Sequence, residues 1–154
     1  MGKISKNKIL VELINNQIDD VDNEKKLDVK SLQRISRNVE DSLFGDKCVF
    51  WQGYITYIQS TDVHYINFFF NGKKHALHRL LYLNFIGNLE KNEYLKYKCN
   101  NKGKCCNINH ILKINSKKKS LEKEITKKKE NVDNKNSIEL ISDNQNIDKL
   151  IIIF

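Results

Sequence analysis

Sulfur and imidazole side chains crowd into one short stretch of this 154-residue chain. Within twelve residues the sequence places Cys99, Cys105, Cys106 and His110. Zinc prefers four thiolate or imidazole donors at the corners of a tetrahedron, and a short loop can supply three of them. The remaining cysteine, Cys48, would tie a distant segment to this loop. The spacing therefore predicts a structural Zn²⁺ site with four protein ligands, which would connect distant segments and stabilise a small core.

Other interpretations of this cluster stay open on the residues alone. The cysteines could be small buried hydrophobes and His110 a core histidine, although loops rich in Asn, Lys and Gly seldom bury thiols. A disulfide is less favoured, because thiols stay reduced inside cells. Cys105 and Cys106 compete for a single ligand position, and the spacing does not choose between them.

Composition narrows the class of protein. No apolar run is long enough to cross a membrane, and the first residues lack a secretory segment. We therefore expect an intracellular, non-secreted protein (nucleus, cytoplasm, viral factory or virion) with no membrane partner. The net charge of +8 favours an anionic partner without identifying it. The abundance of Asn, Lys and Ile is typical of an AT-rich genome, such as that of a large DNA virus.

Aromatic residues and charge divide the chain into three parts. Apart from Phe154, every Phe, Tyr and Trp lies between Phe44 and Tyr97, so the packed core is expected there. Residues 41–115 also hold ten basic and five acidic side chains. We predict a helical arm over 1–43, a zinc-binding domain over 44–115 and a charged, helical or loosely ordered tail over 116–154.

Hydrophobic periodicity predicts an α+β core. Helical spacing predicts one helix through Ile9 and Leu13 and another from Leu32 to Leu43, with a polar linker over 15–26 between them. Strands are predicted over 48–58, 63–70, 73–77 and 94–98, and Asn-Gly at 71–72 predicts a tight hairpin. A helix is predicted over 78–86, with Gly87 as its C-cap.

The end of the chain is apolar over residues 150–154. Such a segment needs cover, because exposed apolar patches usually mark interaction sites. It either packs on its own domain or contacts a second copy or a protein partner. The apolar stripe of the N-terminal helix offers a similar contact.

The chain resembles the zinc-loop branch of the HNH (His-Me finger) endonucleases, which includes homing enzymes. Cys48, Trp51 and Gly53 match the opening Cys-Trp-x-Trp-x-Gly segment of that family, and 71–73 match its hairpin. The family's His-Arg helix that ends in Gly matches 78–87. The segment 105–110 matches Cys-x-Asn-Pro-x-His, with Ile108 in place of proline. In this register the resemblance makes Cys105 and His110 ligands and Cys106 the variable residue, and it implies a ββα-metal core.

Two departures from the family bear on catalysis. The general-base histidine, two residues before the first loop cysteine, corresponds to Tyr97, and tyrosine stays protonated near neutral pH. The metal-binding asparagine corresponds to Lys119, whose ammonium would repel Mg²⁺. His64, His75 and His78 remain as substitute bases, although the resemblance gives His78 a structural place. We therefore expect a catalytically degenerate scaffold.

The resemblance also implies that the β-sheet of the core lies on DNA. The sheet and its borders carry basic residues that could contact phosphates, at Lys73, Lys74, Arg79, Lys96, Lys98, Lys102 and Lys104. Exposed Tyr54, Tyr57 or Tyr65 could stack on bases. Alternatively these lysines merely solvate a small domain and the tyrosines belong to the core.

These observations together predict a zinc-stabilised protein that binds nucleic acid, most readily DNA, without cutting it. Two other functions stay open. One is an active Mg²⁺-dependent endonuclease with a displaced base. The other is an assembly protein that uses the zinc domain as a rigid module and forms homo-oligomers or partner contacts through its arms.

Overall fold

A computed structural model describes Gly2 and residues 4–116 of the chain. The described part is α+β, as predicted, with helices, short strands and a 3-10 turn. In chain order these elements are α1 (Lys6–Asn16), α2 (Val29–Arg37), β1 (Thr56–Ile58), β2 (Val63–Tyr65), β3 (Asn67–Phe70), β4 (Lys73–Ala76), α3 (Leu77–Phe85), β5 (Glu93–Tyr97), the 3-10 turn (Ile108–His110) and β6 (Ile111–Asn115). None of the described helices is both long enough and apolar enough to cross a membrane.

The two N-terminal helices begin at side-chain caps. The Ser5 hydroxyl accepts the backbone N–H of Lys8, and the Asp28 carboxylate accepts that of Ser31, which satisfies donors that a helix start leaves free. α2 ends at Arg37, so the predicted helix is too long at its C-terminal end. The apolar stripe nevertheless continues inward, since Val39 and Leu43 are fully buried beyond the helix.

The predicted linker between these helices is packed against α3. The buried carboxamide of Asn84 accepts hydrogen bonds from the Leu27 backbone N–H (2.9 Å) and from Gln17 Nε2 (2.8 Å). Its Nδ2 donates to the carbonyls of Lys25 (3.0 Å) and Leu80 (2.8 Å). One side chain therefore fixes a segment whose polar sequence resembles a flexible connection.

The strands form three two-stranded sheets: β1 with β2, β3 with β4, and β5 with β6. The predicted strand over 48–58 is wrong for most of its length, because only β1 and an isolated bridge at Phe50 have strand pairing. The predicted strand over 63–70 is interrupted at Ile66, whose carbonyl accepts the Leu77 N–H (2.9 Å). The hairpin at 71–72 is confirmed, with φ of 48° at Asn71 and 71° at Gly72.

One hydrophobic cluster joins the helices to the strands. It includes Leu13 from α1, Ile35 from α2, Phe68 from β3 and Leu81 from α3, each almost wholly buried. The described residues up to Ile114 form one compact unit. The predicted boundary at residue 44 stays a prediction, although both sides of it share this core. Lys119 and the apolar end at 150–154 lie outside the described residues, as does nearly all of the predicted tail.

Candidate metal centre

Cys48 meets three side chains of the 99–110 segment at one point. Cys48, Cys99, Cys105 and His110 each offer a ligand atom, and these atoms all lie within 4.8 Å of one another. His110 Nδ1 lies 3.4 Å from Cys48 Sγ and 3.6 Å from Cys105 Sγ. The donors predicted from the sequence are therefore close enough to hold a single metal ion.

Backbone pairing brings Cys48 beside Cys105. Phe50 and Cys105 form an antiparallel bridge, and the Cys106 N–H donates to the Val49 carbonyl (2.7 Å). Next to it, the Trp51 N–H donates to the Lys104 carbonyl (3.2 Å). The segment with Cys48 thus runs along the cysteine loop as a short, strand-like piece.

The cysteine loop, residues 99–106, turns sharply between its thiols. The backbone N–H groups of Lys104 and Cys105 both donate to the Asn101 carbonyl, at 3.2 and 3.1 Å. Gly103 has a φ of +74°, a conformation that L side chains seldom adopt, and a Cβ at this position would collide with the His64 carbonyl. This glycine therefore lets the loop close while lying directly against β2.

The imidazole of His110 is oriented by a backbone carbonyl. Its Nε2 lies 2.9 Å from the carbonyl oxygen of Asp46, which can only accept a hydrogen bond. The ring proton of the neutral imidazole therefore belongs on Nε2, and the Nδ1 lone pair faces the thiols. Histidines that ligate metals usually have their second nitrogen held in this way.

Two asparagines connect the turn at 44–47 to the 3-10 turn that carries His110. The wholly buried Asn107 donates through Nδ2 to the carbonyls of Gly45 (2.8 Å) and Lys47 (2.6 Å). Its Oδ1 accepts the Asn109 N–H (2.8 Å), and Asn109 Nδ2 donates to the Phe44 carbonyl (2.8 Å). These amides fix the backbone on both sides of the centre.

The thiols of the centre differ in electrostatic environment. A hydrogen bond from Asn101 Nδ2 to Cys48 Sγ (3.3 Å) is the main cause that lowers the pKa of Cys48. Burial raises the pKa of Cys105 to about 11, partly opposed by the Asn107 N–H, which donates to its sulfur (3.4 Å). A bound cation would offset this cost, because it stabilises the thiolate.

Cys106 belongs to the hydrophobic core. Its side chain is 1 % exposed and packs in the same cluster as Val49 and Ile108. Burial raises its pKa far above the usual thiol range, which keeps it protonated. Of the two cysteines that the sequence left as alternatives, the structure therefore brings Cys105 into the cluster of donors and Cys106 into the core.

Tyr97 lies at the end of β5 with its ring centroid 5.5 Å from that of His78. Burial is the main cause that raises the pKa of Tyr97 well above its usual value, and the nearby thiols add to the shift. Burial also lowers the pKa of His78, with a smaller contribution from Arg79. The Tyr97 hydroxyl is thus held neutral. This is the protonation state that we expected for a tyrosine at the position of the family's general-base histidine.

The other two histidines lie on separate hairpins. His64 of β2 packs against Tyr57, with ring centroids 4.6 Å apart. His75 of β4 lies 6.2 Å from the Phe70 ring. Neither belongs to the cluster of metal donors.

The predicted phosphate-binding cations lie on four different elements. Lys73 and Lys74 begin β4, and Arg79 is in the first turn of α3. Lys96 lies on β5, Lys98 directly follows it, and Lys102 and Lys104 lie on the cysteine loop. Lys104 is half-buried, and the rest are exposed. Lys102 and Lys104 line one cleft together.

Aromatic side chains also reach the surface. Tyr54 and Tyr57 are 82 % and 50 % exposed, whereas Tyr65 is half-buried. Phe69, which the sequence did not single out, is 56 % exposed on β3 and pairs across the hairpin with Lys74. The available stacking surface therefore includes two of the three predicted tyrosines.

Several residues that shape the centre were missed from the sequence. Asn101, Asn107 and Asn109 hold sulfur or backbone atoms, and Asp46 contributes its carbonyl. The three asparagines were missed because the chain is rich in Asn throughout, and we attributed this abundance to an AT-rich genome. Their placement inside or beside the cysteine loop was the signal that could have identified them.

Comparison with known proteins gives one informative match. The chain is 42 % identical over 152 residues to an uncharacterized protein of Acanthamoeba polyphaga mimivirus. The match covers 96 % of this chain and 44 % of the viral protein, so the chain spans less than half of that relative's length. No family model matches the chain, and no solved structure matches it.

Proposed function

We propose that this chain is a zinc-stabilised nucleic-acid-binding protein on an HNH-like scaffold that has lost nuclease activity. The observation that carries the proposal is the convergence of Cys48, Cys99, Cys105 and His110 to within 4.8 Å. Three thiolates and one imidazole are a donor set that suits Zn²⁺. The fit is supported by Asp46, which directs Nδ1 of His110 toward the thiols.

The zinc is proposed as structural. A tetrahedral ion with four protein ligands has no open position for water or substrate. Its binding would hold the 44–49 segment against the cysteine loop and the adjacent 3-10 turn, which lie far from that segment along the chain. The metal would then contribute directly to the free energy of folding.

Loss of nuclease activity follows from the residues at the two catalytic positions that the resemblance implies. Tyr97 stands at the position of the general base. Burial raises the pKa of its hydroxyl, so the hydroxyl keeps its proton near neutral pH and cannot act as a base on water. Lys119, outside the described residues, replaces the metal-binding asparagine. With both replaced, an HNH-type reaction has neither its base nor its Mg²⁺ ligand.

Nucleic-acid binding is supported by charge and exposed rings. The core has an excess of basic residues, and most of the predicted phosphate-binding cations are exposed. Tyr54 and Tyr57 supply exposed aromatic surface. Lysines supply affinity for the phosphate backbone, whereas aromatic rings accept any unpaired base.

The metal can be tested with two adjacent cysteines. We expect purified protein to contain one zinc per chain, the Cys105→Ser variant to lose it, and the Cys106→Ala variant to keep it. Elemental analysis and thermal unfolding would report both effects. Equal metal content in the two variants would overturn the ligand assignment.

The function can be tested on one sample of zinc-loaded protein. Incubated with plasmid DNA and Mg²⁺, it should retard the DNA on a gel in a salt-sensitive manner without nicking it. Nicking that disappears in a His64→Ala or His75→Ala variant would establish an active nuclease with a displaced base. Neither retardation nor nicking would contradict nucleic-acid binding and favour the assembly role.

A further inference from the structure

A polar cleft separates the cysteine loop from the β1–β2 hairpin. Its volume is about 420 Å³, and its walls are formed by Asp62, His64, Asn100, Asn101, Lys102 and Lys104. The two walls meet where Gly103 lies against the His64 carbonyl. The cleft is therefore a product of the close packing of the loop on β2.

The charge of the lining is positive. Lys102 and Lys104 come from the cysteine loop, and neither ammonium has a carboxylate partner among the described residues. The single acid in the lining is Asp62. Its carboxylate accepts a hydrogen bond from the Tyr57 hydroxyl (3.1 Å), which partly satisfies that carboxylate. Amide groups of Asn100 and Asn101 complete a lining that has hydrogen-bonding groups and no aliphatic side chain.

An aromatic ledge borders the same cleft. The His64 ring lies 4.6 Å from the ring of Tyr57, inclined by 30°. Tyr57 remains half exposed. A phosphate held between two lysines would thus have a flat, partly exposed surface next to it, on which an adjoining base could stack.

We propose that this cleft is a nucleotide subsite, in which Lys102 and Lys104 hold a backbone phosphate and Tyr57 stacks on an adjoining unpaired base. The inference rests on the proposed function and deepens it, because it selects single-stranded nucleic acid. Bases in a duplex are already stacked on one another, so a ring can reach a base only in a single strand, a loop or an end.

The subsite is connected to the metal centre by Asn101. This residue lines the cleft, its carbonyl closes the loop turn, and its Nδ2 donates to Cys48 Sγ. The loop that presents the two lysines is the loop that supplies two of the metal donors. Loss of the metal would therefore disperse the phosphate ligands.

The test compares two variants that each remove two positive charges. Lys102→Gln/Lys104→Gln empties the cleft of cations, and Lys8→Gln/Lys30→Gln removes exposed lysines from α1 and α2. Binding of a labelled single-stranded oligonucleotide is measured by fluorescence anisotropy over a range of salt. The cleft variant should lose affinity on the order of tenfold and reduce the salt slope by about 0.7, as expected for the loss of one phosphate contact on a single strand, whereas the control variant should change little.

A third variant tests the stacking. Tyr57→Ala should weaken single-strand binding roughly fivefold or more and leave duplex binding nearly unchanged. Unchanged zinc content and circular dichroism would show that each variant is folded. If a variant does not fold, the wild-type protein is titrated with inorganic phosphate instead, and the NMR amide shifts of residues 100–104 are followed. If these amides do not shift, the subsite is overturned.

The outcomes separate the two proposals. If the wild-type protein binds the oligonucleotide and both lysine pairs matter equally, the subsite is overturned and nucleic-acid binding stands. Equal effects of Tyr57→Ala on single strands and duplex would overturn the stacking. If the wild-type protein binds no nucleic acid, the proposed function fails, and the subsite fails with it.

Discussion

Carboxamides, more than charges, organise the surroundings of the metal donors. Asn101 acts on a sulfur, Asn107 on two carbonyls of the 44–47 turn, and Asn109 on a third. A neutral amide can donate and accept at once, so it can connect two backbone segments without adding a buried charge. This suits a site where three cysteines would each bring a negative charge as thiolates on a bound metal ion.

At the residue scale, His78 should make stability depend on pH. Burial lowers its pKa from the ordinary 6.5, so below pH 6.5 the unfolded chain takes up a proton that the folded chain resists. The free energy of unfolding should therefore fall as the pH drops from 7 toward 5. Urea unfolding of zinc-loaded protein would measure this fall.

The matching variant for this prediction is His78→Gln. Acid also weakens the proposed metal site, because protons compete with a metal ion for its donors, but it does so in both proteins. The difference between the two pH profiles then isolates His78, and the variant should show the shallower fall. Parallel profiles would contradict the assignment of the effect to this histidine.

At the scale of elements, two glycines with nearly the same φ allow the cost of a left-handed backbone to be distinguished from the cost of a steric clash. Gly72 (+71°) faces open space, whereas a Cβ on Gly103 (+74°) would meet the His64 carbonyl. Gly72→Ala should cost about 1 kcal/mol for its left-handed backbone. Gly103→Ala should cost roughly 2 kcal/mol more, because the loop must move away from β2.

Urea unfolding of these two alanine variants provides the comparison. A similar loss in both would mean that the loop moves away from β2 at little cost. In that case the cleft beside Gly103 would also be easily deformed.

Asn84 gives a second prediction at this scale. Replacement by leucine removes the hydrogen bonds that hold residues 17–27 on α3 and leaves their buried partners unsatisfied. We expect a loss of roughly 2–4 kcal/mol in the free energy of unfolding. The exposed Asn88→Leu variant should stay near wild type, and a small effect at Asn84 would show that the segment holds without it.

The sequence predicted an element well when the interactions that form it are between residues close together along the chain, and poorly when they are between distant residues. The helices and the 71–72 hairpin follow from local periodicity and turn chemistry, which a sequence displays directly. The segment at 48–53 failed as a regular strand because its partners are Lys104, Cys105 and Asn38, each distant along the chain. The metal donors were predictable by type, whereas the carbonyl of Asp46 carries no residue-specific signal.

At the scale of the whole molecule, the N-terminal helices are part of the core. Their inward side chains, including Ile9, Leu13, Ile35 and Leu43, are fully buried. Each such burial is worth about 1.5–3 kcal/mol, and a small domain has only about 5–15 kcal/mol of net stability. A chain that begins at residue 44 should therefore fail to unfold cooperatively, even with zinc present.

Thermal unfolding followed by circular dichroism would check this expectation. A chain that begins at Ile4 keeps the α1 cap and the packing of Ile4 on the core, and it should behave like the full chain. A sharp transition in the shorter chain would show that zinc alone can support residues 44–154. It would then favour the boundary that the sequence predicted.

The contact between Asp46 and His110 has a consequence for how the sequence of this centre can diverge during evolution. Because the carbonyl and not the carboxylate orients the ring, and the Asp46 side chain is exposed, most residue types could occupy this position without disturbing the imidazole. Aligned relatives could thus differ freely at position 46 and keep the same geometry. Its importance would be visible only in the length of the turn, where a single inserted or deleted residue would displace the carbonyl.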